Sequence, residues 1–95
     1  MGMDYWTLIM ETEIINGHKA VVRHFFKPKE IKPNSRWIGV SGGIVTVEQV
    51  KCYPASDHED EHWYEVYYSW EENGEKRTHH KESFAFQCRY FLILE

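Results

Sequence analysis

Cysteine, proline and long apolar runs are all scarce in this sequence of 95 residues. It has two cysteines, Cys52 and Cys88, and three prolines. No apolar run approaches the ~18 residues that a membrane-spanning helix needs, and the first residues do not follow the basic-then-apolar pattern of a secretory leader. The sequence therefore predicts a cytoplasmic protein. Both thiols are expected to stay reduced and to be buried as small hydrophobic side chains, rather than joined in a disulfide.

Motifs that carry catalysis are missing as well. Ser41-Gly42-Gly43 lacks the flanking residues of a nucleophile elbow, and neither a phosphate-binding loop nor a dinucleotide fingerprint occurs. His58 and His62 would share a face only on a helix, whereas Pro54 and the polar residues near them favour a loop. These absences predict no enzymatic activity, no cofactor and no functional metal site.

Aromatic residues, in contrast, are abundant, and the charges are segregated. Trp, Tyr and Phe make up 16% of the chain, which helps a short sequence bury enough apolar area to form one domain over residues 1–95. Residues 18–36 carry six Lys or Arg and one Glu, whereas residues 57–75 carry eight Asp or Glu and no Lys or Arg. The two segments are either two solvated faces, or a basic patch for an anion and an acidic patch for a basic partner.

Two Asn-Gly pairs predict β-hairpins with type I′ turns. Around Asn16-Gly17, the expected register pairs Ile15 with His18 and Thr12 with Val21, in a hairpin over about residues 4–27. A helix over residues 4–15 is the alternative, because some apolar residues there also fit a 3.6-residue period. Around Asn73-Gly74, the expected register pairs Glu71 with Lys76, which places opposite charges across the strands.

The rest of the chain reads as strands and loops. Residues 27–35, with two prolines, predict a loop, and residues 54–61 predict a polar loop. The apolar positions change parity between Val47 and Val50, which predicts a β-bulge near Glu48-Gln49. Residues 62–70 alternate as a strand with Tyr64, Val66, Tyr68 and Trp70 on one face, and residues 83–94 predict a closing strand.

Residues 36–93 resemble small bacterial and phage domains with an SH3-like barrel. The shared features are a basic-aromatic start, a Gly-Gly turn, two short apolar strand motifs, a polar hairpin and a terminal Phe motif. In this chain they are Arg36-Trp37, Gly42-Gly43, Val45-Thr46-Val47, Val66-Tyr67-Tyr68, Glu71 to Lys76, and Phe84 to Tyr90. The resemblance implies an all-β fold, with an SH3-like small barrel over about residues 36–94 preceded by the hairpin.

In size and style the chain also resembles accessory proteins of tailed phages. That resemblance implies a non-enzymatic protein that binds a host or defence protein in the host cytoplasm. Two alternatives stay open. The first is sequestration of a small anionic ligand, such as a nucleotide signal, by charge-assisted donors and a stacking ring. Its candidate residues are Arg23, His24, Lys27, Arg36, Trp37 and Arg77.

The second alternative is binding of single-stranded nucleic acid on Arg36, Trp37, Lys51 and Tyr53, with bases stacked beside basic side chains. The eight-carboxylate segment opposes this alternative, because it would repel phosphates. In both alternatives Trp37 has a competing interpretation as a core residue.

The N-terminal hairpin carries more apolar residues than a minimal barrel needs to close. If one apolar face of that hairpin were exposed to solvent, pairing with a second copy would bury it, which favours a homo-oligomer. The expected interface residues are Trp6, Ile9, Val22 and Phe26. The competing interpretation is that the hairpin covers its own barrel.

Overall fold

The computed structural model describes residues 10–55 and 58–94, and for residues 55 and 58–61 it describes the backbone alone. The described chain is mainly antiparallel β-structure in two sheets. Its elements, in chain order, are β1 (Glu11–Ile15), β2 (His18–Val22), β3 (Arg36–Gly39), β4 (Ile44–Ala55), β5 (His58–Glu72), β6 (Glu75–Glu82), α1 (Ser83–Arg89) and β7 (Tyr90–Leu92). The predicted all-β class is confirmed.

Both Asn-Gly turns are confirmed with their registers. Asn16 and Gly17 have φ of 51° and 87°, and Asn73 and Gly74 have φ of 55° and 80°, as a type I′ turn requires. Ile15 pairs with His18 in the first hairpin, and Glu71 pairs with Lys76 in the second. The alternative helix is wrong where the structure describes it, because Glu11–Ile15 is a strand; residues 4–9 lie outside the described part.

The first hairpin is shorter than predicted at its second strand. β2 ends at Val22, and Arg23 has a φ of 54°, which breaks the strand. The following residues cross onto the large sheet, where the Phe26 N–H donates to Oε1 of Gln87 at 2.7 Å. Residues 27–35 form the predicted loop, with a single 3₁₀ turn at Pro28–Glu30.

The large sheet has the strand order β6-β5-β4-β3-β7. The predicted bulge is confirmed, since the register of β4 against β5 shifts between Val47 and Gln49. The predicted polar loop over residues 54–61 is wrong where the structure describes it, because β4 continues to Ala55 and β5 begins at His58; residues 56 and 57 lie outside the described part. The Tyr53 and Trp63 rings stack across the two strands. Such cross-strand pairs stabilise strand pairing, here next to the polar residues that were predicted to form a loop.

The main core lies on one side of this sheet, called here the core face. Trp37, Val47, Val66 and Tyr68 point to this side and are almost completely buried. Burial next to Tyr90 raises the pKa of the Tyr68 hydroxyl to about 12. Ile31 of the loop and Phe86 of α1 cover these side chains.

The predicted closing strand over residues 83–94 is wrong in its first half. Residues 83–89 form α1, and only Tyr90–Leu92 forms a strand. The Glu82 carboxylate accepts hydrogen bonds from the N–H groups of Phe84 and Ala85, which satisfies two donors that a helix start leaves unpaired. The helix then places Phe86 between the rings of Trp37 and Tyr68, each 5.1 Å from it between centroids.

The opposite side of the sheet is covered only in part. Ala20 of β2, Ile38 of β3 and Ile93 form a second buried cluster, and Ala20 bridges Ile93 as an antiparallel pair. The small hairpin therefore lies over the β3 and β7 end of the large sheet. No helix among the described residues is long and apolar enough to cross a membrane.

Candidate binding surface on the open sheet face

Trp37 is a core residue, as its competing interpretation held. It is 2% exposed, its ring packs edge-on against Phe26 and Phe86, and its Nε1–H donates to Ser35 Oγ at 2.9 Å. A ring in that position has no face to offer a base or a nucleotide. The prediction that Trp37 stacks on a ligand is therefore wrong.

The other predicted anion-binding residues are not gathered in one pocket. Arg23 lies beside Glu11 and Glu13, at 2.8 and 3.3 Å. His24 packs its ring edge-on against Phe26, with 4.5 Å between the centroids, and the Lys27 N–H donates to a carboxylate oxygen of Glu30. The remaining two arginines lie on strands that β4 and β5 separate: Arg36 on β3, and Arg77 on β6.

Two of the four predicted interface residues belong to the chain's own core. Val22 is 6% exposed, and Phe26 packs against the cluster around Trp37. Val22 ends the hairpin and Phe26 lies beyond it on the core face, so both are used within the chain. Trp6 and Ile9 lie outside the described residues.

The cysteines are free thiols, and their predicted burial is wrong. Cys88 lies on the outer side of α1, because Ser83, Phe86 and Gln87 take the inner side. Cys52 lies on β4 beyond the part of the sheet that the core covers, in an apolar groove of about 350 Å³ next to Tyr64. A hydrogen bond with the Cys52 thiol raises the pKa of the Tyr64 hydroxyl.

The surface that the small hairpin leaves uncovered is called here the open face. Since side chains alternate along a strand, it consists of the residues of β4, β5 and β6 that point away from the core face. The bulge adds Glu48 to it. Its members include Thr46, Glu48, Gln49, Lys51, Tyr53, Trp63, Glu65, Tyr67, Ser69, Glu71, Lys76, Thr78 and His80.

A stripe of four rings, called here the aromatic stripe, crosses the open face. Trp63 stacks on Tyr53 with 5.9 Å between centroids, and Tyr67 stacks on His80 with 4.9 Å between centroids. The hydroxyls of Tyr53 and Tyr67 are 2.9 Å apart and join the two pairs. This hydrogen bond raises the pKa of the Tyr67 hydroxyl. Trp63, at one end, is 43% exposed.

Charged side chains flank the aromatic stripe. Lys51 Nζ lies 5.0 Å from the centre of the Tyr67 ring, and Glu65 Oε1 is 3.0 Å from Nδ1 of His80. These contacts hold the exposed rings in fixed orientations, which lowers the entropy that a partner would have to remove on binding.

A carboxylate marks the centre of the open face. Ser69 Oγ donates to Oε2 of Glu48 at 2.5 Å, and Lys76 Nζ lies 3.4 Å from the same oxygen. The hydrogen bond from Ser69, followed by the hydrogen bond and charge of Lys76, lowers the pKa of Glu48 below its ordinary value of 4.5. Glu48 is therefore ionised at neutral pH.

Two shallow depressions lie on either side of the Glu48–Lys76 pair. One, of about 370 Å³, is lined by Gln49, Tyr67, Thr78 and His80 as well as by the pair. The other, of about 300 Å³, is lined by Thr46, Ser69 and Glu71 among others. The open face thus offers exposed rings, fixed charges and two concave places for side chains of a partner.

Sequence reasoning found only part of this surface. The predicted nucleic-acid platform includes Lys51 and Tyr53 of the open face, but it combines them with the buried Trp37. The signal for the rest was present, because an alternation that buries Val66 and Tyr68 places Trp63, Tyr67 and Ser69 on the other side.

Within the described residues, no group of three or more His, Cys, Asp or Glu side chains is placed to hold a metal ion. The side chain of His58 lies outside the described part, so the pairing of His58 with His62 stays open. Comparisons with protein-family models, curated proteins and solved structures find no match to this chain.

Proposed function

We propose that the chain acts by binding, without catalysis of its own, and that it takes a partner protein on the open face. The aromatic stripe carries this proposal. Its rings are fixed by stacking and hydrogen bonds, yet they lie on the part of the sheet that neither the main core nor the small hairpin covers. Aromatic anchors set among polar groups are typical of protein interfaces, where a few rings supply most of the binding energy.

The charges of the open face favour a protein over a nucleic acid. The Glu48 carboxylate stays ionised at the centre, and Glu65 lies next to the Tyr67–His80 pair. Two carboxylates beside the rings would repel a phosphate backbone. A polypeptide presents both signs of charge and apolar side chains, so it can match lysines, carboxylates and rings together.

Two further parts of the proposal, the SH3-like arrangement of the strands and the kind of partner, rest on the sequence resemblance. The bulge in β4 and the second cluster under the small hairpin support a strongly bent, SH3-like arrangement of the strands. The phage-like style supports a host or defence protein as the partner and the host cytoplasm as the compartment.

Site-specific photo-crosslinking tests the proposed surface. A photoreactive benzoylphenylalanine replaces Trp63 on the open face or, as a matched control, Phe84, which is 59% exposed on α1 across the molecule. In cells that encode the chain, we expect one protein to be crosslinked from position 63 and not from position 84. Equal crosslinking from both positions, or from neither, would contradict the proposed surface.

Titration with fluorescent single-stranded oligonucleotides and with nucleotides separates the alternatives. We expect no saturable binding at physiological salt. Saturable binding that weakens with salt and is lost in Tyr67→Ala would assign the open face to nucleic acid instead.

A further inference from the structure

β6 forms one edge of the large sheet. The strand order places β5 on one side of it and no strand of the described chain on the other. In a two-residue hairpin, the two residues next to the turn, here Glu72 and Glu75, are hydrogen-bonded to each other through their backbones. Along the two strands, backbone-bonded pairs then alternate with pairs that are not bonded to each other. The backbone groups of Arg77, His79 and Lys81 therefore face β5. Those of Lys76, Thr78 and His80 face away from the sheet.

The outward-facing residues coincide with the open face. Lys76, Thr78 and His80 line the depression of about 370 Å³ that also contacts Tyr67. Thr78 is the shortest of the three side chains, and it lies on the edge strand. The depression therefore reaches the sheet edge over Thr78, within reach of a side chain from a strand placed alongside β6.

We propose that β6 accepts an extended, acidic segment of the partner as an added strand, with one long side chain lying over Thr78 in the depression. This inference rests on the proposed function and names the chemistry of the partner. The added strand would pair with the backbone groups of Lys76, Thr78 and His80, in the manner of other domains that bind a peptide at a sheet edge.

The charge of β6 selects an acidic segment. Arg77 and Lys81 lie on the core face of the sheet, away from Glu48 and Glu65, so acidic side chains of the added strand would lie beside them; Lys76 lies on the open face. The pairs that these bases make within the chain, such as Lys76 with Glu48 and Arg77 with Glu75, join exposed side chains at 3.4 and 3.6 Å. Exposed pairs of this kind contribute little to stability, so an acidic partner can share or replace them.

The same charges oppose a second copy of the chain as the occupant. Since outward-facing residues must lie opposite outward-facing residues, antiparallel pairing of two β6 strands about His79 would set Arg77 against Lys81. Like charges directly opposite each other destabilise a strand pair, and edge lysines are a common device against self-association.

Amide hydrogen exchange tests the geometry and the binding together. In the free protein, we expect fast exchange at Lys76, Thr78 and His80 and slow exchange at Arg77 and His79. The probe is a synthetic peptide as long as the eight residues of β6, with Glu alternating with Val and Thr and a central Tyr. Its addition should slow the outward amides by about tenfold, while a peptide with Lys in place of Glu should not. Slow exchange at the outward amides of the free protein, or no change with the acidic peptide, would overturn the inference.

Thr78→Pro is the matched substitution. It removes a donor that faces away from β5, a place where an edge strand tolerates proline, so the fold should persist. Thr78→Val keeps the donor and serves as control. We expect Thr78→Pro to weaken binding of the acidic peptide and of the crosslinked partner by about tenfold relative to Thr78→Val, with both variants melting cooperatively. If the partner crosslinks at position 63 yet binds both variants equally, strand addition is wrong and the open-face proposal stands. If no partner crosslinks there, the proposed function itself fails.

Discussion

At the scale of single residues, Glu48 joins the local structure to the proposed surface. The bulge between Val47 and Gln49 adds it to the open face, where Ser69 and Lys76 both contact its carboxylate. A folded-state pKa below the unfolded value means that the ionised form stabilises the fold. That contribution is present above the ordinary pKa of 4.5, and it is lost as the pH falls through the lowered folded-state value.

Replacing Ser69 by Ala should raise the pKa of Glu48 toward 4.5, because the hydrogen bond from Ser69 is the largest cause of the lowering. Carbon-detected NMR titration of the Glu48 carboxyl measures the change. Thr78→Ala, on the same face, is the control and should leave the pKa of Glu48 in place, because Ser69 and Lys76 are the groups that lower it. A Glu48 pKa that is the same in Ser69→Ala and in the wild type would refute the assigned cause.

At the scale of elements, the sequence predicted those turns and bulges that depend on a few neighbouring residues. Asn-Gly turns fix a positive φ at two successive residues, so both hairpins and their registers could be read from the residues alone. The parity change around Glu48 likewise marked the bulge. Helix α1 could not be read in this way. Its seven residues are too few for a clear helical period, and its start depends on Glu82, whose role as a cap appears only in three dimensions.

Helix α1 should contribute to the stability of the fold mainly through the side chain of Phe86. This side chain is 0% exposed and contacts the rings of Trp37 and Tyr68. Phe86→Ala is expected to lower the free energy of unfolding by about 3–5 kcal/mol, since it leaves a cavity in the main core. Chemical denaturation measures the loss.

Phe84→Ala on the same helix is the matched control. Phe84 is 59% exposed and, among the described residues, stacks on Phe25 at 4.8 Å, so its loss should cost no more than about 1.5 kcal/mol. If Phe86→Ala does not fold, Phe86→Leu gives the comparison at a smaller loss of volume. Equal losses at positions 84 and 86 would contradict the placement of α1 over the core.

At the scale of the whole molecule, one face of the large sheet carries the main core, and the small hairpin covers only part of the other face. The sequence could assign the alternating residues of one strand to two faces. It could not show which face the small hairpin covers, because that depends on contacts such as Ala20 with Ile93, more than seventy residues apart in the chain. For the same reason Trp37, in a basic-aromatic context, was open to two interpretations until β3 was placed inside the sheet.

The same arrangement reduces the set of residues available for the predicted homo-oligomer interface. The homo-oligomer stays a prediction, and it now depends on Trp6 and Ile9, because Val22 and Phe26 are used within the chain. Light scattering coupled to size exclusion measures the mass of the wild type and of a Trp6→Ala, Ile9→Ala double variant. An oligomer that the double variant dissociates would confirm the hairpin interface. A mass of 11.4 kDa for the wild type at high concentration would refute it.

The affinity of the crosslinked partner, once purified, tests the central claim most directly. It is measured by calorimetry against the wild type, a Trp63→Ala, Tyr67→Ala double variant, and Phe84→Ala. Because rings at the centre of an interface supply most of its binding energy, the double variant should bind at least about thirtyfold more weakly. Phe84→Ala should bind like the wild type. Wild-type affinity in the folded double variant would contradict the assignment of binding to the open face, as would a loss of the same size in Phe84→Ala.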